Sequence, residues 1–232
     1  PCASYSNFPL LVSFEENETN INCWNQECGT FIANKWDFVD TVETSGAINS
    51  AHSGNRFAYI HSDWTTGTQT VKLVTNPVNI SVLSQPILKF YHNQKNNYYQ
   101  DVLKVYYKTS ASSSWTLLQT YSSDISSWRK DSILLPNKSK SYFIAFESNV
   151  KGGYGIELDD FEINNPSIYK AILSAANNEL GYDFKGVSDF EKFKAGNDYL
   201  LSKGSISQEE YQKRMDAIEP SYDDVYNILK DG

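Results

Sequence analysis

At 232 residues the chain exceeds a single domain of usual size, so we expect one large core, or a medium core with an appendage. Aromatic residues make up 14% of it, and tyrosine, phenylalanine and tryptophan favour pleated strands over helices. A net charge of -8 without a dense basic run argues against nucleic acid as a partner. No stretch approaches the roughly 20 apolar residues that span a bilayer, and the N-terminus lacks the layout of a signal peptide.

The first part of the chain alternates short apolar segments with turn residues, which is the pattern of strands joined by tight turns. The absence of helical patterns between them favours an antiparallel sandwich or barrel. In Ser141-Tyr-Phe-Ile-Ala-Phe-Glu147 both faces of the predicted strand are partly apolar, as expected where two sheets stack. The predicted strands are 10–15, 56–61, 70–75, 87–93, 102–109, 115–121, 129–135, 142–148 and 155–163.

The pattern changes near residue 165. All five tryptophans, three cysteines and three histidines precede Asn165, and Pro166 opens a second region of helical periodicity. Ser188-Asp-Phe-Glu191 and Ser207-Gln-Glu-Glu210 fit the capping box of a helix start, and Ser221-Tyr-Asp-Asp224 is a weaker version. We therefore predict two domains, a β-sandwich over 1–165 and a segment of three or four short helices over 166–232, the first helix beginning near Ile168.

The cysteines lie at positions 2, 23 and 28, and the four-residue spacer of Cys23-Trp-Asn-Gln-Glu-Cys28 can close a short loop. The three histidines are scattered, and none lies at ligand spacing from another, which argues against zinc. A disulfide is the better expectation for this part of the chain.

Several motifs in order carry a resemblance to a known family. They are Ser13-Phe-Glu15, Cys23-Trp24, Ser53-Gly-Asn-Arg-Phe-Ala-Tyr59, Lys89-Phe-Tyr-His92, Val102-Leu-Lys-Val-Tyr106 and Gly155-Ile-Glu-Leu-Asp-Asp-Phe-Glu-Ile163. Over about residues 10 to 163 the series resembles the MAM (meprin, A5 protein, receptor tyrosine phosphatase) family and the bacterial cleaved-adhesin modules. The tail resembles the short C-terminal helical hairpins of bacterial and phage proteins, which serve interaction or assembly.

The resemblance implies a mostly β fold, a two-sheet antiparallel jelly roll used in adhesion without catalysis of its own, at the cell surface or in a secreted protein. The family has a cysteine immediately before Phe-Glu that pairs with the one before the tryptophan. Here Ser13 takes that place, and Cys2 lies well upstream. We therefore expect Cys23 to pair with Cys28 rather than with Cys2.

The resemblance also implies a cation between the first and last strands, and the residues suit calcium, which takes six to eight oxygen ligands. Glu15 matches the early carboxylate and Asp159 the late one. Glu16, Asp160 and backbone carbonyls near His52 to Asn55 are the further candidate ligands. The alternative is that Asp159 and Asp160 form a turn and Glu15 is a solvated strand residue.

A candidate binding loop lies in Asn96-Asn-Tyr-Tyr-Gln-Asp101, because exposed tyrosines beside amides can stack on a sugar or anchor a protein. Asn97, Tyr98 and Tyr99 are its predicted contact residues, with Trp64 as a further candidate. The alternative for the loop is a plain hairpin tip. Trp24 and Trp36 are predicted to be core residues.

A catalytic arrangement is not expected. His52 and Ser53 are neighbours that would point to opposite faces of a strand, and Asp159 and Asp160 would likewise diverge if their segment is extended. We found no motif for a nucleophile elbow, a zinc protease or a phosphate loop.

Three functions follow from these features. The leading one is a protein-binding adhesion module of a secreted or surface protein, stabilised by calcium. The second is a carbohydrate-binding module with exposed aromatic residues. The third is a host-binding or structural component of a phage or other particle, in which the helical tail serves assembly.

Overall fold

The computed structural model describes residues 4–16, 18, 21, 23–28, 34–42, 47–62, 69–165 and 189–216. The chain divides into two compact units, Pro1–Asn164 and Asn165–Gly232, and we describe each unit by itself. No helix within the described ranges is long and apolar enough to cross a bilayer.

The described part of the first unit holds eleven strands and a short 3-10 helix, Ile80–Val82. The strands are β1 Leu10–Val12, β2 Asn25–Cys28, β3 Trp36–Val39, β4 Phe57–Ile60, β5 Gln69–Val74, β6 Ile87–Gln94, β7 Val102–Lys108, β8 Thr116–Tyr121, β9 Ile125–Leu134, β10 Phe143–Val150 and β11 Ile156–Asn164. All nine predicted strands are present. Two were missed, β2 and β3, each only four residues long.

The strands form two antiparallel sheets. The first sheet has the order β3-β4-β11-β6-β9, with β1 also paired to β11, and the second has the order β2-β5-β10-β7-β8. The neighbours in each sheet are mostly distant in sequence, as in a jelly roll. The predicted fold class is therefore confirmed.

The main core lies between the two sheets, where alternate side chains of each strand face inward. Phe90 of the first sheet meets Phe146 of the second at a ring-centroid distance of 5.0 Å, and Phe146 meets Phe161 at 6.2 Å. Trp36 is buried, as predicted, whereas Trp24 is only half-buried against Phe14 and Phe161.

A second, smaller apolar cluster covers the outer face of the first sheet. Val42, Phe57 and Tyr59 form its buried part, and Ala51 and Trp128 pack against them. Because this face is covered, polar side chains that point outward from β6 and β11 are buried as well. This covering is what creates the buried acidic site described below.

The predicted pairing of Cys23 with Cys28 is wrong. Cys23 is in a disulfide bond, whereas Cys28 carries a free thiol. Cys28 ends strand β2, and the three extended steps from Asn25 to Cys28 alone cover about 10 Å. A disulfide needs its two Cα atoms within about 7 Å, so the strand carries Cys28 out of reach. Of the pairings considered, Cys2 with Cys23 remains, and Cys2 lies outside the described residues.

The described part of the second unit contains two helices, α1 Asp189–Ser202 and α2 Gln208–Asp216. Helix α2 starts where Ser207 predicted, because the Ser207 hydroxyl accepts a hydrogen bond from the Glu210 amide at 3.1 Å. The Tyr211 hydroxyl donates to Asp198 Oδ1 at 2.6 Å and joins the two helices. The capping residues Ser188 and Ser221 and the other predicted helices lie outside the described residues.

Candidate functional site

Three of the four predicted metal ligands hold one loop, residues 52–56, which we call the clamped loop. Glu15 binds the C-terminal end of this loop. Its Oε1 accepts hydrogen bonds from the backbone amides of Asn55 at 2.8 Å and Arg56 at 2.9 Å. Gly54 has a φ of 62°, and a Cβ there would collide with the Glu15 carboxylate. The positive φ and the close approach to Glu15 both favour glycine at position 54.

The two aspartates in the middle of β11 hold the other end of the clamped loop. Asp159 Oδ2 accepts from the amides of His52 at 2.8 Å and Ser53 at 3.2 Å. Asp160 Oδ1 accepts from the Ser53 hydroxyl, and Asp160 Oδ2 lies 2.6 Å from His52 Nδ1. The expectation that the two carboxylates diverge is wrong.

The reason is a bulge in β11. The pairing with β6 shifts register between Asp159 and Glu162, and Asp160 has a φ of 47°. The extra residue turns both carboxylates toward the same loop. The expectation for His52 and Ser53 fails similarly, because these residues lie in a loop and both side chains reach Asp160. The hydroxyl and the imidazole bind the two oxygens of one carboxylate, which is not the nucleophile-to-base contact of a catalytic dyad.

The site carries more negative than positive charge. Burial raises the pKa of Asp159 far above its usual range, and the neighbouring Asp160 carboxylate raises it further, while the amides of the clamped loop oppose the shift. Such a site gains by taking up a proton or a cation.

The predicted calcium ligands do not form a complete side-chain site. Within the described residues, no three carboxylate, thiol or imidazole groups are grouped closely enough to hold a metal. Glu16 is exposed at a turn, whereas Glu18, which the sequence analysis missed, is buried and accepts from the Ser13 amide at 2.7 Å. The carboxylates that could contribute to a calcium site here are those of Glu15, Asp159 and Asp160, which now accept hydrogen bonds from the clamped loop.

The predicted binding residues lie at an exposed turn between β6 and β7, which we call the tyrosine turn, residues 96–100. Tyr98 is 91% exposed and Tyr99 57%, the highest values for aromatic side chains within the described residues. The Asn97 amide donates to the Tyr99 carbonyl at 3.4 Å and closes the turn. Trp64 lies outside the described residues.

The base of the tyrosine turn is anchored by buried polar contacts. Asp101 is fully buried and accepts from the Ser62 hydroxyl at 2.8 Å and from the amides of Lys151, Gly153 and Gly155 at 2.7 to 3.3 Å. The Gln100 side chain donates to the Asp101 carbonyl at 2.8 Å. The two exposed tyrosines therefore stand on a well-ordered base.

A second buried carboxylate, Glu157, was missed by the sequence analysis. It is 1% exposed, and burial raises its pKa well above the usual range, with the nearby Asp101 charge adding to the shift and the Asn93 amide opposing it. No sequence signal marked it, since an acidic residue in a half-covered strand normally faces water. Its burial follows from the cluster that covers the outer face of the first sheet.

Comparison with known proteins agrees with this architecture. Residues 12–167, about two thirds of the chain, match the family model described as "MAM domain, meprin/A5/mu". Among curated proteins, none is similar enough in sequence to count as a relative.

Solved structures show the same fold at low identity. The K1 cleaved adhesin domain of Lys-gingipain from Porphyromonas gingivalis W83 aligns with a TM-score of 0.51 and 19% identity, covering 68% of this chain and 99% of that one. The K3 domain of the same protein gives 0.51 and 18%, covering 67% and 96%. A xylan-binding domain from Paenibacillus barcinonensis gives 0.43 and 13%, covering 70% and 97%, which is too weak a likeness to bear on fold or function. The family match confirms the resemblance read from the sequence, and the chain belongs to the MAM domain family.

Proposed function

We propose that the first unit is a non-catalytic adhesion module of a secreted or cell-surface protein, and that it contacts its partner through the tyrosine turn. Membership of the MAM family and the likeness to adhesin domains support binding as the activity. The disulfide at Cys23 supports an oxidising, extracellular location.

The observation that carries the proposal is the exposure of Tyr98 and Tyr99 on an anchored base. Large aromatic side chains left open to water on an anchored backbone are typical of contact residues, because each can bury a large area on binding and has only two side-chain torsions to fix. Asn97 beside them offers an amide for hydrogen bonds at the same tip. The partner is a protein or a glycan on a cell surface.

An array that displays both glycans and extracellular proteins separates these two partners. We expect saturable binding of the full chain to a protein, with loss of that signal in the double variant Tyr98→Ala and Tyr99→Ala. Saturable binding to a sugar, lost in the same variant, would instead support a carbohydrate-binding module, which the open face of Tyr98 favours.

We also propose that a calcium ion stabilises the clamped loop. The surplus of carboxylates at Glu15, Asp159 and Asp160 supports a cation there, since the nearby His52 is the one basic side chain that the described contacts assign to them. The ion would favour the charged form of Asp159 and fix the loop to β11.

The test is the melting temperature of the full chain with calcium and with a chelator. Calcium should raise it, because a ligand that binds only the folded state stabilises that state. The variant Asp160→Asn should lose most of the rise. Identical melting of the wild type in both conditions would rule out a stabilising ion.

A further inference from the structure

Glu157 and Asn93 share a buried polar row on the outer face of the first sheet. Glu157 on β11 lies opposite Asn93 on β6 and opposite Tyr59 on β4, so the three side chains point to the same face. Asn93 is 0% exposed and Glu157 1%. The row is thus as deeply buried as the apolar core.

The polar atoms of this row lack ordinary partners. Both carboxylate oxygens of Glu157 and both polar atoms of the Asn93 amide are buried without a hydrogen bond of normal geometry, although the Asn93 amide lies close enough to favour the charged form of Glu157. The Tyr59 hydroxyl does not fill the gap, because it donates to the Tyr154 carbonyl at 3.2 Å and meets His61 Nδ1 at 3.1 Å. Buried polar atoms are rarely left so in folded proteins.

The charge of the row is also unbalanced. Asp101 lies near enough to act on Glu157, and its own oxygens are occupied by Ser62 and three backbone amides. Within the described residues, no lysine, arginine or histidine forms an ion pair with either Asp101 or Glu157. Two carboxylates in a buried region with no basic partner favour a bound cation.

We propose that Glu157 and Asn93 form an internal binding site for a hard, oxygen-ligated cation, calcium or sodium, with Asp101 supplying a second negative charge. The two Glu157 oxygens and Asn93 Oδ1 are its side-chain ligands. The site is separate from the clamped loop and independent of the tyrosine turn as a contact surface. Its role is structural, tying β6 to β11 behind the base of that turn.

Ion stoichiometry on the full chain tests the site. The protein is stripped with a chelator, desalted and titrated calorimetrically with calcium chloride, and melting is followed in calcium, sodium or choline chloride at equal ionic strength. We expect Glu157→Gln, which keeps size and removes charge, to bind one ion fewer than the wild type. A rise in melting temperature with sodium but not choline would identify sodium as the occupant.

The matched control is Glu15→Gln, which alters the clamped loop and leaves Glu157 intact. If calcium at the clamped loop is absent, Glu15→Gln binds as many ions as the wild type, and the loss in Glu157→Gln is unaffected. The two variants therefore test the ion at the clamped loop and the ion at Glu157 independently.

Asn93→Asp keeps the test decisive if Glu157→Gln fails to fold. A third carboxylate should lower the melting temperature without ions and at least double the rise that calcium gives. Equal ion stoichiometry in the wild type and Glu157→Gln would overturn the proposal, and so would calcium-independent melting of Asn93→Asp. Glu157 would then be a protonated carboxyl that donates a hydrogen bond to Asn93 Oδ1.

Discussion

Asp101 anchors the base of the tyrosine turn. Its carboxylate accepts four hydrogen bonds, three of them from the backbone of residues 151–155. One residue therefore joins the start of β7 to the glycine-rich turn before β11. Asparagine has the same shape as aspartate but only one acceptor oxygen, so it cannot accept all four hydrogen bonds as well.

We expect Asp101→Asn to lower the free energy of unfolding by about 2 to 4 kcal/mol, because an amide nitrogen would face backbone donors in a buried site. Asp37→Asn is the matched control, since Asp37 is exposed and should change stability by less than about 0.5 kcal/mol. Urea unfolding of both variants measures the difference. Equal midpoints would show that Asp101 does not hold the turn.

The sequence identified only some of the individual residues that form these sites. Glu15, Asp159 and Asp160 were singled out through the family motifs, and the structure brings them to one loop. Asp101 and Glu157 were not singled out as buried, because each is enclosed by residues distant in sequence: Asp101 by Ser62 and the turn at 151–155, and Glu157 by the neighbouring strands β4 and β6. Asp160 has a left-handed backbone conformation, which lets both aspartates contact the clamped loop. The alternation of apolar and polar residues does not reveal this conformation.

Strands with apolar alternation were predictable, and the short polar strand β2 was not. Its sequence, Asn25-Gln-Glu-Cys28, offers no alternation, and it forms only by pairing along the edge of β5. The wrong disulfide has the same origin. A spacer that could close a loop became instead an extended strand, which separates the two cysteines.

Two serine variants test which cysteine is in the disulfide bond. Cys28→Ser should leave the melting temperature and its sensitivity to reductant unchanged, because the Cys28 thiol is free. Cys23→Ser should cost about 2 to 4 kcal/mol and remove the sensitivity to reductant. Melting curves with and without dithiothreitol give both results. Loss of reductant sensitivity in Cys28→Ser would contradict the assignment.

The whole molecule divides into two compact units, and the described core residues of the sandwich lie in the first. Its buried side chains run from Leu10 on β1 to Ile163 on β11. The predicted division of the sequence near residue 165 stays a prediction about independent folding, which truncation can test.

A chain that ends at Asn165 should fold and keep the melting transition of the sandwich within a few degrees. A chain that ends at Gly153 is the control and should not fold, because it lacks β11, the strand that pairs with β1, β4 and β6. Circular dichroism and thermal melting distinguish the two. If the chain ending at Asn165 is unfolded, the second unit is part of the sandwich fold and not an assembly element.

Binding through the tyrosine turn is the central property that we propose for this protein. The direct measurement is the dissociation constant of the full chain for the strongest array ligand, compared between the wild type, the double variant Tyr98→Ala and Tyr99→Ala, and Leu117→Ala. Leu117 is an exposed apolar residue on the edge strand β8 and serves as the control. We predict a dissociation constant at least about tenfold larger for the double variant and unchanged for Leu117→Ala. Wild-type affinity in the double variant would contradict the assignment.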